Sequence, residues 1–353
     1  MELKSKCANL KRSGKTAREI YNTIYCEEVS NPADFSTFDR LLRRWTKQIY
    51  PNQLTLDEGT YPNFTAHGAT VQVSSSGEIV QAWIKQSSDP FDPEDFIEAI
   101  SKKVEPYSSK SEVSEDSKNM LEIPLFDMHW GIAFMDYYKH VLDSILDVIC
   151  KNRWKKIIIP FGQDFFHNDS IVNGQTTKGT RIEKVDMQRA VKESQQFMYA
   201  IIDKAIEQSD EVKMVYSPGN HDRSISWMFM QVMLARYGPD IVDDSMVFRR
   251  VVTYGNNAVM ITHGNSKKST ASNLAHIFPI SFPEEFSNAT TREVHAGHIH
   301  KETSSDVYGV MVRHLSSGNK QDEWSDSEDL VGTNKRFMLF EWSPEKLRAI
   351  YYI

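Results

Sequence analysis

Near its middle the chain runs Ile157-Ile158-Ile159-Pro160-Phe161-Gly162-Gln163-Asp164-Phe165-Phe166-His167. The β-branched apolar run predicts a strand that is buried on both faces, and Gly162 predicts the turn that ends it. Asp164 would then lie at the carboxyl end of a strand, where parallel sheets bind their ligands. A carboxylate oxygen in that place suits a hard or borderline divalent metal ion.

Four further clusters of metal-ligating residue types follow predicted strands. They are Asp127-Met128-His129, Gly219-Asn220-His221-Asp222, His263-Gly264 and Gly297-His298-Ile299-His300. Each cluster alone is a weak signal, and unrelated polar residues at strand ends are the alternative. Of the 11 histidines, however, seven fall in or beside the five clusters (129, 167, 221, 263, 295, 298 and 300), whereas a surface or core role would scatter them. Together the clusters predict a metal-dependent active site.

Around these clusters the chain alternates strand and helix, which predicts a mostly parallel sheet covered by helices. The strands are expected at 121–126, 155–161 and 212–216, and the helices at 134–150, 183–208 and 225–237. A β-rich end should follow, with a hairpin at 247–254 and 258–262, a brief strand at Val294, and strand segments at 307–315 and 337–353.

Residues 1–50 predict a helical module that resembles a helix-turn-helix DNA reader. Two helices are expected within 15–48, separated at Ser30-Asn31-Pro32. The second carries Phe38, Leu41, Leu42 and Trp45 on one face and the candidate DNA-binding residues Arg40, Arg43, Arg44 and Lys47 around the other. The alternative is a small helical bundle whose basic face is merely solvated.

The charge distribution permits such a basic module. The net charge of the chain is −7. Residues 1–50 hold ten Lys/Arg against six Asp/Glu, which gives +4 and leaves −11 for the remainder. A basic N-terminal module on an acidic body is therefore consistent with the sequence.

Residues 51–118 are predicted to form a β-hairpin region followed by a linker. Side chains in residues 65–73 alternate with the two-residue period of a strand. Ser74 to Gly77 predict a turn, and residues 79–84 predict the returning strand of the hairpin. From Pro106 to Lys118 the chain is dominated by Ser, Lys and Glu, which indicates an exposed linker. The main domain is expected over 119–353.

Composition points to a cytoplasmic protein with no membrane partner. The hydrophobic fraction of 40% and charged fraction of 25% are ordinary for a soluble protein. The three cysteines lie far apart, which argues against a disulfide framework or zinc ribbon and fits a reducing cytosol. No apolar run approaches the roughly 18 residues of a membrane span, and residues 1–13 lack the apolar core of a signal peptide. Nothing in the sequence indicates an oligomeric state.

The ordered clusters resemble the five blocks of the calcineurin-like metallophosphoesterase superfamily over about residues 120–320. The second block is closest to the SbcD-type DNA repair nucleases, which usually read Gly-Gly-Asp, two apolar residues and His. The whole chain is also similar to phage- and prophage-encoded members. The fold that the resemblance implies is α/β with α+β edges, a four-layer αββα sandwich, here with a small N-terminal helical module and a β-hairpin.

Two departures from the family pattern bear on function. Gln163 replaces the second Gly of the block, which could tighten or redirect the turn. A Thr/Gly-rich insertion, Gly174 to Thr180, should add a loop over the site and change substrate preference.

The resemblance implies a centre of two divalent metal ions. Asp127, His129 and His300 would hold the first ion, Asn220, His263 and His298 the second, and Asp164 would bridge them. The oxygen and nitrogen donors, without a thiolate, favour Mn²⁺, with Fe, Zn²⁺ or Mg²⁺ as alternatives.

Three residues are candidates for catalysis beside the metals. His221 would stabilise phosphate charge or protonate the leaving oxygen, and Asp222 would orient its imidazole. His167 is a second candidate of the same kind, with a supporting role behind the ligands as the alternative.

The function expected from this resemblance is hydrolysis of phosphodiester bonds by in-line attack of a metal-bridging hydroxide, with DNA as substrate. The alternative is a phosphoesterase for a small nucleotide, a cyclic nucleotide or a phosphoprotein, since the same centre serves these leaving groups. A third reading is a DNA-binding regulator with an idle hydrolase domain. SbcD-type relatives usually work with an ATPase, so an ATPase is a candidate partner.

Overall fold

A computed structural model of the chain describes residues 2–13, 15–29, 33–49, 64–73, 79–88, 92–109, 117–320 and 334–353. These residues form two compact units, Met1–Asp92 and Pro93–Ile353. The predicted break at Ser30-Asn31-Pro32, the hairpin turn at 74–77 and most of the predicted linker lie outside the described residues.

The helices of the first unit pack around a small aromatic core. They are α1 (Glu2–Arg12), α2 (Ala17–Ile20), a π-helical turn (Tyr21–Tyr25), α3 (Cys26–Glu28) and α4 (Phe35–Ile49). The predicted start near Thr16 is confirmed, because Thr16 and Glu19 form a reciprocal capping box. The expected apolar face of α4 is also confirmed at Phe38 and Leu42, which are buried. Helix α1 was not predicted.

The hairpin of this unit is confirmed. Strands β1 (Phe64–Val73) and β2 (Ile79–Ser88) pair in antiparallel register.

Two sheets form the second unit. The six-stranded sheet has the order β13-β12-β3-β4-β5-β6, and the five-stranded sheet has the order β10-β11-β9-β8-β7. The strands are β3 (Met120–Glu122), β4 (Lys156–Gly162), β5 (Val212–Ser217), β6 (Val242–Asp243), β7 (Arg249–Tyr254), β8 (Asn257–Thr262), β9 (Thr291–Ala296), β10 (Thr303–Val307), β11 (Val310–His314), β12 (Met338–Trp342) and β13 (Leu347–Tyr352). Strands β3 to β6 run parallel, as do β8, β9 and β11.

Helices cover the outer faces of both sheets. They are α5 (Pro93–Ser101), α6 (Met135–Ile149), α7 (Met187–Gln208), α8 (Arg223–Tyr237), α9 (Ala271–Ser281) and α10 (Pro283–Asn288). Along β4, Ile157 and Ile159 pack into the core beneath α6, α7 and α8, while Ile158 packs into the core between the sheets. The third core lies between the five-stranded sheet and α9. The predicted four-layer αββα sandwich and the strand buried on both faces are therefore confirmed.

Several predicted boundaries differ from the structure. The strand expected at 121–126 ends at Glu122, and the chain then runs on beside β4, with the Asp127 N–H donating to the Gln163 carbonyl at 2.9 Å. The predicted strand segment 307–315 contains the end of β10 (Thr303–Val307), a turn and β11 (Val310–His314), which pair as a hairpin. Helices α9 and α10 were not predicted.

The start of the predicted linker is not freely exposed. Tyr107 is half-buried, its N–H donates to the Arg236 carbonyl at 2.8 Å, and its ring lies 5.8 Å from that of Tyr237. This contact ties the segment after α5 to the end of α8.

Among the helices in the described part of the chain, none combines the length and the apolar character that crossing a bilayer requires.

Candidate metal centre

The ends of five strands, from both sheets, bring the predicted ligands together. The six-stranded sheet supplies Asp127, His129, Asp164 and Asn220, and the five-stranded sheet supplies His263, His298 and His300. These side chains fall into two groups whose ligand atoms lie within 4.8 Å of one another: Asp127, His129 and His300, and Asp164, His263 and His298. The first group is the predicted first ligand set, and the second combines two predicted ligands of the second ion with the predicted bridge Asp164. A third group, His129, His167 and His221, shares His129 with the first.

Backbone amides fix one oxygen of Asp164. Its Oδ1 accepts the N–H groups of Asn220 and His221, each at 2.7 Å. Gly219 makes this approach possible, because a Cβ at that position would lie 2.0 Å from Oδ1. The other oxygen, Oδ2, lies 2.9 Å from His263 Nε2.

Asp127 is held in the same way. Its Oδ2 accepts the N–H of His298 at 2.7 Å, and a Cβ on Gly297 would lie 2.5 Å from that oxygen. Its Oδ1 is buried without a hydrogen-bond partner among the described residues and lies 3.5 Å from His300 Nε2. A buried carboxylate oxygen of this kind needs a cation or a donor, so the site fits a metal ion.

The spacing of the donor atoms also fits bound metal. His129 Nε2 and His300 Nε2 lie 3.2 Å apart, and His263 Nε2 lies 2.9 Å from the Asn220 Oδ1. Two nitrogens that each lie about 2.1 Å from one Zn²⁺ are about 3 to 3.5 Å apart. The separations of these two donor pairs are thus compatible with a bound ion, and the assignment of the ligands to two ions stays a prediction.

Backbone strain is concentrated at the centre. Six residues of these loops have positive φ angles between 50° and 74°, although none is glycine: Asp127, His129, Gln163, Asp164, His298 and His300. Each such residue costs roughly 1–3 kcal/mol and persists where its surroundings hold it. Gln163 adopts this conformation with its side-chain amide bonded to Ser217 Oγ at 3.0 Å.

The imidazoles of the centre differ in protonation. Burial, together with His221 and His300, holds the pKa of His129 well below its usual range, and burial beside His263 lowers the pKa of His298. Both rings are therefore neutral at pH 7, the form that binds metal.

His263 differs from these neutral histidines because it is paired with Asp164. Burial opposes the charge on His263, but Asp164 raises the pKa of this imidazole to about 9. Burial likewise opposes the charge on Asp164, yet His263 and His221 hold the pKa of this carboxyl well below its usual range. The pair therefore holds a proton at neutral pH, and a bound metal ion would take the place of that proton.

His221 is oriented by a backbone group. Its Nδ1 lies 2.9 Å from the carbonyl oxygen of His167, so Nδ1 carries the hydrogen and Nε2 is left to accept or release a proton. The buried ring of His167 lies beside the first ligand group, with its Nδ1 3.4 Å from His129 Nδ1, and it also lines the pocket, so its catalytic role stays a prediction.

The structure gives Asp222 hydrogen-bond partners other than His221, and its role in orienting His221 stays a prediction. Asp222 is buried, and its Oδ2 accepts the N–H of Phe166 at 2.8 Å and the hydroxyl of Ser226. Its carboxylate therefore ties the loop after β4 to the first turn of α8. Burial and the nearby Asp164 raise the pKa of Asp222 to about 8.

His295, which lies beside the last cluster, has a structural role. It is fully buried and its Nδ1 lies 2.8 Å from Glu122 Oε1.

A pocket of about 710 Å³ opens onto the centre. Its wall includes metal-group residues, His221 and part of the Thr/Gly-rich insertion, so the expected loop over the site is confirmed. The sequence had not singled out the other lining residues, which include Thr176, Lys178, Arg181 and Asn265. The sequence signal that could have identified Lys178 and Arg181 is the presence of charged residues in or beside an insertion next to a predicted catalytic block.

The candidate DNA-binding residues lie on α4 of the first unit. Arg40, Arg43 and Arg44 are exposed, and Arg43 pairs with Asp39 at 2.7 Å. The side chain of Lys47 lies outside the described residues. DNA binding by this helix stays a prediction.

No family model and no curated protein matches the chain. Among solved structures it is similar to Vps29 complexed with Zn²⁺ from Entamoeba histolytica, at 14% identity and a TM-score of 0.33, over 67% of this chain and 97% of that one. An archaeal phosphodiesterase is 11% identical over 67% and 99% of the chains, with a TM-score of 0.34. A predicted phosphoesterase from Streptococcus pneumoniae is 9% identical over 68% and 100%, with a TM-score of 0.28. Such distant likenesses say nothing about activity.

Proposed function

We propose that the chain is a metal-dependent phosphoesterase that hydrolyses phosphodiester bonds, with DNA as its substrate. One observation carries the proposal: Asp127 and Asp164 are each fixed through one oxygen by backbone N–H groups, while the other oxygen faces a cluster of histidines. Carboxylates oriented in this way are suited to binding a pair of divalent ions, whereas the packing of a buried core does not require them.

The chain's own groups have distinct tasks in this reaction. Asp127, His129 and His300 would hold one ion, and Asn220, His263 and His298 the other, with Asp164 between them. When bound, two divalent ions polarise a phosphate and make water acidic enough to attack it at neutral pH. Donor chemistry favours Mn²⁺ over Fe, Zn²⁺ or Mg²⁺.

His221 supplies the proton transfer. The His167 carbonyl holds its Nδ1–H, so a proton on Nε2 can pass to the leaving oxygen of the ester. His221 lines the pocket that opens onto the metal ligands, which supports this role beside a phosphate bound there.

The proposal is tested by metal content and turnover together. Purified protein is loaded with Mn²⁺, Zn²⁺ or Mg²⁺, analysed for bound metal, and incubated with bis-p-nitrophenyl phosphate, supercoiled plasmid and single-stranded oligonucleotide. We expect two ions per chain and hydrolysis of the diester and of DNA, both abolished in Asp164→Ala. Protein that binds no transition ion under any loading condition would contradict the proposal.

The same assay separates DNA from the small-substrate alternative. Cleavage of the generic diester with no loss of plasmid or oligonucleotide would assign the centre to a small nucleotide, cyclic nucleotide or phosphoprotein. A candidate ATPase partner is tested by adding it to the DNA assay.

A further inference from the structure

The Thr/Gly-rich insertion and the residue that follows it place two cations on the wall of the pocket. Lys178 and Arg181 line the pocket that also contains Asp164, His221 and His298. Both side chains are exposed, and in the part of the chain that the structure describes neither forms an ion pair. The wall also carries Glu183 and Asp164, so two cations face two carboxylates, and Asp164 is the one assigned to the metal ions.

The insertion is a folded loop with its own hydrogen bonds. The Thr176 N–H donates to the Thr180 carbonyl at 2.9 Å, and the Ile182 N–H donates to the Gly174 carbonyl at 3.1 Å. Gly174 is required for this crossing, because a Cβ there would lie 2.4 Å from the Ile182 oxygen. The loop therefore presents Lys178 and Arg181 from a defined backbone.

Thr177 fastens the loop to the catalytic segment. Its N–H donates to the Asn220 carbonyl at 3.2 Å, and its Oγ1 accepts the N–H of Arg223 at 3.2 Å. At the start of the insertion, Asp169 accepts the N–H groups of Ser224 and Ile225 at 2.6 and 3.0 Å. The backbone that carries the two cations is thus tied to the segment that carries Asn220 and to the start of α8.

We propose that Lys178 and Arg181 bind a phosphate adjacent to the scissile one, so that the preferred substrate is a nucleic acid strand and not an isolated diester. This inference rests on the proposed phosphodiesterase function. The metal ligands account for the phosphate that reacts, and a pocket of this volume accommodates a ligand much larger than one phosphate group. Lysine and arginine recognise such a neighbouring phosphate through charge and hydrogen bonds.

The test compares two substrates in the full-length protein loaded with Mn²⁺. A short single-stranded oligonucleotide carries neighbouring phosphates, whereas bis-p-nitrophenyl phosphate carries none. We expect Lys178→Gln and Arg181→Gln each to raise the KM for the oligonucleotide by about tenfold, with less than a twofold change for the diester. Lys178→Arg should restore most of the affinity. Lys184→Gln is the matched control, because it removes the same charge from an exposed residue of the same segment outside the pocket.

Binding is measured separately, without turnover, by fluorescence anisotropy of the labelled oligonucleotide in EDTA at several salt concentrations. Each lost phosphate contact should reduce the slope of log affinity against log salt by about 0.7. Equal effects on both substrates, or an effect of Lys184→Gln as large as that of Lys178→Gln, would overturn the inference while leaving the phosphodiesterase in place. Hydrolysis of neither substrate would instead overturn the proposed function.

Discussion

His221 contributes through a single nitrogen, because the other is bonded to the His167 carbonyl. His221→Ala should therefore lower kcat by about 10²–10⁴-fold while both metal sites remain filled. Turnover of bis-p-nitrophenyl phosphate and metal content measured on the same preparation check this. His276→Ala, which removes an exposed histidine elsewhere, should leave both unchanged. If His221→Ala keeps activity within about tenfold, the proton-transfer role is wrong.

Substitutions of Asp222 test whether its carboxyl group has a structural or a catalytic role. Its hydrogen bonds run to the Phe166 N–H and Ser226, so Asp222→Asn keeps an acceptor oxygen and should retain activity to within about tenfold. Asp222→Ala leaves the buried Phe166 N–H unpaired and should destabilise the protein by about 1–3 kcal/mol. The measurements are kcat and urea denaturation. A loss of about 10³-fold in Asp222→Asn, at unchanged stability, would indicate that the carboxyl acts on His221 after all.

Gly219 tests whether the orientation of Asp164 is needed for metal binding. A methyl group there would displace Asp164 Oδ1, since the added Cβ would lie 2.0 Å away. We expect Gly219→Ala to lose metal at both sites, because Asp164 is the shared ligand. Gly309→Ala has a positive φ but nothing within 4 Å of the added Cβ, so it should cost about 1 kcal/mol and keep its metal. Full metal occupancy in Gly219→Ala would contradict the bridging position of Asp164.

At the level of elements, the insertion loop should depend on Thr177. Thr177→Val keeps the side-chain shape but removes the oxygen that accepts the Arg223 N–H. We expect the KM for an oligonucleotide to rise about fivefold, the equivalent of about 1 kcal/mol for one hydrogen bond, with little change for bis-p-nitrophenyl phosphate. The control for the loss of a threonine hydroxyl is Thr253→Val, at an exposed position of β7. An unchanged KM would mean that the Thr177 bond does not position the loop.

Elements with regular apolar periodicity were predictable, and elements stabilised by context were not. Helix α6 and strand β4 were located from sequence to within one residue. Helix α9 was missed because Pro279 lies inside it and interrupts the pattern that identifies a helix. Helix α1 was missed because its sequence is mostly polar, and its packing depends on Cys7 in a core built from distant residues.

For the whole molecule, the sequence predicted the candidate ligands but not the contacts that hold them. Metal-ligating residue types that follow predicted strands can be recognised in the sequence alone, and they are expected to meet because parallel strands of a sheet end at a common edge. The contacts of Gly219 with Asp164 and of Gly297 with Asp127 join residues 55 and 170 positions apart, and no local pattern encodes them. The hydrogen bonds of Asp222 with the Phe166 N–H and Ser226 were not predictable for the same reason.

The two sheets are joined by a buried ionic contact that should make the stability of the second unit depend on pH. His295 of β9 lies between Glu122 of β3 and Glu293, and Glu122 also accepts the Trp342 Nε1–H at 3.1 Å. Burial opposes the charge on His295, but the two carboxylates raise the pKa of His295 from 6.5 to about 9. A folded-state pKa above the unfolded value stabilises the protein fully below pH 6.5, and this contribution is lost as the pH rises through 9.

The free energy of unfolding should therefore fall by on the order of 3 kcal/mol between pH 6 and pH 9.5. Urea denaturation of the EDTA-treated protein at several pH values measures it. Because other groups titrate in the same range, the decisive quantity is the difference from His295→Gln. That variant cannot carry the charge, so it should be less stable than the wild type at pH 6 and should approach it at pH 9.5. Two proteins whose stabilities fall in parallel over this range would show that the contact between the sheets does not depend on a protonated His295.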